Sequence, residues 1–128
     1  MDENPRPAVV PVEEVARRWV GAWAAGNRRA LFDLLAAGAT IESNLDPDGD
    51  FVDILDEFVA AIDGVTVVTE NVVPLGADAG RVALVYDCAA VPGTVRVAEF
   101  LEVRGGLVHG VRRVYDLVAA LRLLPHLA

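Results

Sequence analysis

The chain has 128 residues, 54% hydrophobic and 23% charged, which is enough for one packed domain and too apolar for a disordered tail. Its formal net charge of −8 argues against nucleic acid, whose phosphates need a basic face, and against an anionic membrane surface. The 11 Lys/Arg positions are all arginine, which excludes a Schiff-base or P-loop lysine, and the single Cys88 excludes an intrachain disulfide.

Residues 1–11 are acidic, hold Pro5, Pro7 and Pro11, and read as a flexible lead-in. They lack the basic and apolar regions of a signal peptide, and no apolar run approaches a membrane span, so a cytoplasmic protein is expected. Residues 12–128 read as a single domain. From Val12 the period is helical, with Val15, Trp19, Val20 and Trp23 on one face. Gly26-Asn27 ends that helix, and Asn27 is placed to cap a second around Leu31, Leu34 and Leu35. A short strand over 39–45 follows. Beyond an acidic turn, Asp50 is placed to cap a third helix bearing Phe51, Ile54, Leu55, Phe58, Val59 and Ile62.

After Gly64 the pattern switches to β-branched runs over 65–75, 81–91, 94–104 and 107–117. Gly105-Gly106 is short enough for a two-residue hairpin. A short C-terminal helix over 119–127 is expected, stopped near Pro125. The class is α+β: three N-terminal helices packed on a curved, mostly antiparallel sheet. The strands carry apolar residues on both parities, so both faces are expected to be covered. The helices cover one, and a second copy of the chain is the simplest cover for the other.

Polar groups in apolar rows are the candidates for chemistry, because a buried polar group must be paired or functional. Alternation places Val111, Arg113 and Tyr115 together on the last strand. Asp87 lies between Val85 and Ala89, and Arg96 shares a face with Ala98 and Phe100. If these rows line the helix-covered side, Asp87, Arg96, Arg113 and Tyr115 converge in one apolar cavity. Asp87 would then be a general base held ionised between guanidinium groups, with Arg96 and Arg113 stabilising developing charge. The alternative is a structural Arg–Asp bridge. By the same parity, Tyr86, Glu42 and Glu99 fall outward. Cys88, opposite in parity to Asp87, is expected to be buried and inert. Trp19, Trp23, Phe58, Val85, Ala89, Ala98, Phe100 and Val111 are the expected cavity walls.

The segments 18–27, 35–42 and above all Gly106-Leu107-Val108-His109-Gly110-Val111-Arg112-Arg113-Val114-Tyr115-Asp116-Leu117 resemble the nuclear transport factor 2-like superfamily. That group includes ketosteroid isomerase, polyketide cyclases and limonene-1,2-epoxide hydrolase. The resemblance implies a cystatin-like cone enclosing a pocket. It places Asp87 at one catalytic aspartate of the epoxide hydrolases. Their arginine falls at Val85, their second aspartate at Arg113, and their water-positioning Tyr and Asn at Ile41 and Ser43. The isomerase base falls at Ser43, with Glu42 beside it, and its two oxyanion donors fall at Trp19 and Ala98. Of all these positions only Asp87 keeps the family's residue type.

Asn44, Asp46, Asp48 and Gly49 match part of a calcium loop, but Leu55 stands where its closing Glu is required. His109 and His126 have no metal-ligand spacing. No cofactor and no metal are therefore expected. The reading is a small-molecule enzyme of the epoxide hydrolase, cyclase or isomerase type acting on a hydrophobic substrate. The alternative is a non-catalytic ligand-binding or dimerisation module of the same fold, and a homodimer through the outer sheet face is expected in either case.

Overall fold

The computed structural model describes residues 10–128; the expected flexible lead-in falls, apart from Val10 and Pro11, outside them. The element order is α1 (Val12–Ala24), α2 (Arg28–Leu34), β1 (Leu35–Ser43), α3 (Phe51–Ala61), β2 (Gly64–Pro74), β3 (Ala79–Ala89), β4 (Val95–Arg104), β5 (Leu107–Tyr115) and α4 (Leu117–Leu123), then a 3-10 turn over Pro125–Leu127. The α+β class holds, with α4 as a fourth helix after the sheet. The sheet is open and mixed, in the order β1-β5-β4-β3-β2, because β1 runs parallel to β5. No described helix is long and apolar enough to cross a membrane.

Local chemistry sets the element ends. Gly26 takes the left-handed conformation (φ 66°) after α1, and the Asn27 side chain accepts from Ala30 N–H to start α2. The Asp50 carboxylate accepts from the N–H groups of Val52 and Asp53 at the head of α3. Asp116 does the same for Ala119 at the head of α4. Gly105 and Gly106 both have positive φ (58° and 77°), which a tight two-residue hairpin turn requires.

One layer of helix covers one face of the sheet. Val15, Ala16, Trp19, Ala22 and Trp23 of α1 and Ile54, Leu55 and Phe58 of α3 are buried against it. The strands answer with Val82, Leu84, Tyr86 and Cys88 of β3, Val95, Val97, Leu101 and Val103 of β4, and Val108, Val111 and Tyr115 of β5. Three irregularities interrupt the ladders, the first between Leu35 and Thr40 of β1. On β2 the register skips Val68. On β5, Val108 pairs with Val103 but Gly110 pairs with Glu102, so His109 is an extra, unpaired residue.

That bulge decides which side chains face the helices. A straight hairpin from the Gly105-Gly106 turn would set Arg113 opposite Ala98, in one row with Arg96 and Phe100. The extra residue sets it opposite Glu99 instead. Deleting His109 regularises the hairpin and keeps Glu99 opposite Arg113. The shortened protein is expected to retain wild-type far-UV circular dichroism and tryptophan emission. Deleting Arg112 turns Arg113 outward and brings Val114 in; that protein is expected not to fold.

Candidate functional site

The interior between α1, α3 and the sheet holds a charged pair among rings. Arg113 and Glu99 are both 0% exposed, and Arg113 Nη1 lies 3.2 Å from Glu99 Oε2. The Tyr86 hydroxyl donates to the other carboxylate oxygen at 3.3 Å. The guanidinium carbon stands 4.3 Å from the Trp23 ring centre, 4.8 Å from Tyr115 and 5.5 Å from Phe58. Electron-rich ring faces replace part of the solvation that Arg113 gives up. The rings also fix each other, with edge contacts between Trp23 and Tyr86 and between Phe58 and Tyr115.

Asn44 holds the end of β5 in place. Its side chain donates to Tyr115 O at 3.0 Å and accepts from Tyr115 N–H at 2.8 Å, as a neighbouring strand would. Asn44 is thus engaged by the sheet, and Asp50 by a helix cap. Ser43 sits opposite Arg113 in the β1–β5 register, but its hydroxyl is engaged by the backbone of Leu45. Among the described residues no three His, Cys, Asp or Glu side chains gather as metal ligands.

Four buried donors make no hydrogen bond of good geometry among the described residues: Arg113 Nε, Arg113 Nη2, Trp19 Nε1 and Trp23 Nε1. The imbalance has one sign, since all four are N–H groups. Burial and the nearby Glu99 carboxylate raise the Tyr86 phenol well above its ordinary value. Burial also raises Tyr115, against the opposing pull of Arg113. Burial disfavours the charged Arg113, but Tyr115 and Glu99 outweigh it, and the guanidinium stays a cation. The Cys88 thiol is pushed up to about 11, chiefly by burial, which makes it a poor nucleophile.

The sheet separates the residues expected to converge. Arg113, Tyr115, Val111, Trp19, Trp23 and Phe58 are buried on the helix side. Asp87, Arg96, Val85, Ala89, Ala98 and Phe100 are on the opposite face. There Arg96 Nε donates to Asp87 Oδ1 at 2.8 Å and Nη2 donates to Oδ2 at 3.0 Å. Those bonds hold the Asp87 carboxyl below its ordinary value. Asp87 and Arg96 therefore form the cross-strand bridge, on the side of the sheet away from Arg113. Phe100 is 47% exposed and walls no interior cavity.

Sequence reasoning missed Glu99 and Tyr86, which parity had placed outward. Their rows carried the signal. Val95, Val97, Glu99, Leu101 and Val103 form the apolar row of β4, whereas the alternate row holds Arg96, Glu102 and Arg104. Likewise Val82, Leu84, Tyr86 and Cys88 form the apolar row of β3.

No family model matches the chain, and no curated protein matches it. Solved structures do. A protein from Kribbella flavida DSM 17836 superposes with a TM-score of 0.68 at 20% identity, over 88% of this chain and 93% of that one. A protein with a ketosteroid isomerase-like fold from Catenulispora acidiphila DSM 44928, in complex with trimethylamine, gives 0.58 at 22% identity, over 86% and 91%. A steroid delta-isomerase from Pseudomonas aeruginosa gives 0.64 at 13% identity, over 90% and 86%. Identities this low speak for the fold: the chain has the nuclear transport factor 2-like fold.

Proposed function

We propose that this protein is a cofactor-independent enzyme of the isomerase or cyclase type, acting on a small hydrophobic carbonyl compound inside the cone. The observation that carries the reading is that Arg113 Nε and Nη2, and Trp23 Nε1 beside them, make no hydrogen bond next to the Glu99 carboxylate. A ligand suited to those donors brings acceptor oxygens and few donors of its own, as a ketone or an enolate does. Arg113 is assigned to the carbonyl oxygen, where its spare N–H groups stabilise the charge that develops. Glu99 is assigned as base in place of Asp87. It takes a proton from the carbon next to the carbonyl and returns it to another carbon, so no co-reactant is needed. The interior is filled by the protein's own side chains, so binding requires Trp19, Trp23 or Phe58 to move.

The same filled interior favours a second reading, a non-catalytic module in which Arg113–Glu99 only organises the core. Tryptophan fluorescence separates the two. Titration with conjugated ketones is expected to give a saturable change in the wild type and none in Arg113→Met/Glu99→Leu. In Glu99→Gln, binding is expected to persist while deuterium exchange at the ligand's acidic carbon, followed by NMR, is lost. A folded wild type that responds to no ketone favours the module.

Two further outcomes follow from the burial of the cluster. Arg113→Met leaves Glu99 buried without its counter-ion and is expected to cost about 3–5 kcal/mol in denaturant unfolding, most of it recovered in Arg113→Met/Glu99→Leu. Both tyrosines of the chain have raised values, so the native protein is expected to show no phenolate absorbance at about pH 10, where free tyrosine ionises. Above that pH the unfolded chain loses protons that the native state keeps. Stability contributed by Tyr86 and Tyr115 is thus complete below about pH 10 and falls as pH rises further. Phenolate absorbance is expected to appear only together with unfolding.

A further inference from the structure

The face of the sheet without helices carries a groove of about 570 Å³ that crosses all five strands. The strand register builds it from two neighbouring rows. Arg81, Glu102, Gly110 and Thr40 stand side by side across β3, β4, β5 and β1, and Ala83, Phe100, Arg112 and Glu42 form the next row. The depression lies where side chains are smallest, at Ala83 beside Arg81 and at Gly110 beside Glu102. Phe100, 47% exposed, stands between the two. The charges of the groove are not all answered within it. Arg112 Nε donates to Glu42 Oε2 at 3.0 Å, which settles those two. Arg81 faces Glu102 across β3 and β4, yet it makes no ion pair among the described residues. Glu102 leans the other way: its Oε1 accepts from Arg104 Nη2 at 3.4 Å, and its Oε2 overhangs Gly110. A Cβ at Gly110 would lie 3.5 Å from that oxygen and 3.4 Å from Thr40 Oγ1. The glycine therefore keeps open a gap on which two oxygens converge, one of them a carboxylate's. Left over in the groove are one guanidinium, one carboxylate oxygen and an exposed ring.

We propose that this groove binds a small zwitterion with an apolar side chain, a free amino acid such as phenylalanine. The ligand carboxylate takes the N–H fork of Arg81. The ligand ammonium sits above Gly110, between Glu102 Oε2 and Thr40 Oγ1. The ligand side chain lies against Phe100, in the space that the short Ala83 leaves. A simple anion would answer Arg81 and be repelled by the free Glu102 oxygen, and a simple cation would do the reverse. Charge complementarity thus favours a ligand that carries both signs. The groove volume falls in the range of small-molecule sites. Arg81, Glu102 and Phe100 are all exposed, so the contacts stay partly solvated and binding is weak, with a Kd of roughly 0.1–1 mM. The site is independent of the interior, from which the sheet separates it.

An NMR titration of isotope-labelled protein tests it. L-phenylalanine is expected to shift the backbone amide signals of Arg81, Glu102 and Gly110 saturably. Tryptophan emission is expected to stay unchanged, because both indoles lie across the sheet. Phenylacetate lacks the ammonium and phenethylamine lacks the carboxylate, and each is expected to bind at least about tenfold more weakly. Glu102→Gln is expected to erase the preference over phenylacetate, and Arg81→Gln the preference over phenethylamine. If either variant fails to fold, the comparison of the three compounds on the wild type decides alone. Equal binding of the three, or preferences that survive in the variants, overturns the proposal. So does the absence of any shift, including the case of a groove shut by a second copy.

Discussion

A single extra residue in β5 governs what the interior contains. His109 advances the register by one position, so that Glu99 and not Ala98 stands opposite Arg113. The guanidinium therefore meets a carboxylate across the sheet. In the straight register Arg113 would stand opposite Ala98 on the face without helices, outside the core. Removing an ion from water costs several kcal/mol even after relaxation, and Glu99 answers the cation that is turned inward. With His109 present in the chain, the bulge is what brings Arg113 to the carboxylate.

Once buried, the pair orders its surroundings. Three aromatic rings close on the guanidinium, and Tyr86 satisfies the second oxygen of Glu99. α1 and α3 supply Trp23 and Phe58, so both helices are keyed to the same point of the sheet. An apolar core of equal volume would stabilise the fold as well or better.

Much of the architecture is legible in the sequence, because each sign has a local cause. The first-helix face, the Asn27 and Asp50 caps and the Gly105-Gly106 turn all stand where their chemistry places them. The meander of β2 to β5 follows from its Gly-bearing separators. The site is less legible, for a physical reason: strand parity beyond a hairpin turn is known only if no bulge intervenes, and nothing in His109-Gly110 announces one. A residue-by-residue comparison of the two rows of β4 points the right way, since Arg96, Glu102 and Arg104 make one row a solvent face. The parallel pairing of β1 with β5 depends on contacts distant in sequence and has no local signal.

Both tryptophans lie on the helix side of the sheet, 0% and 1% exposed, and none lies on the opposite face. Indole emission is therefore a report from one compartment of the molecule. It senses the guanidinium beside Trp23 and any rearrangement of the rings, but the outer strand surface contributes no fluorophore of its own. Events on the two sides of the sheet are therefore separable: a change in indole emission reports the interior, and an event confined to the outer strand surface leaves it unchanged.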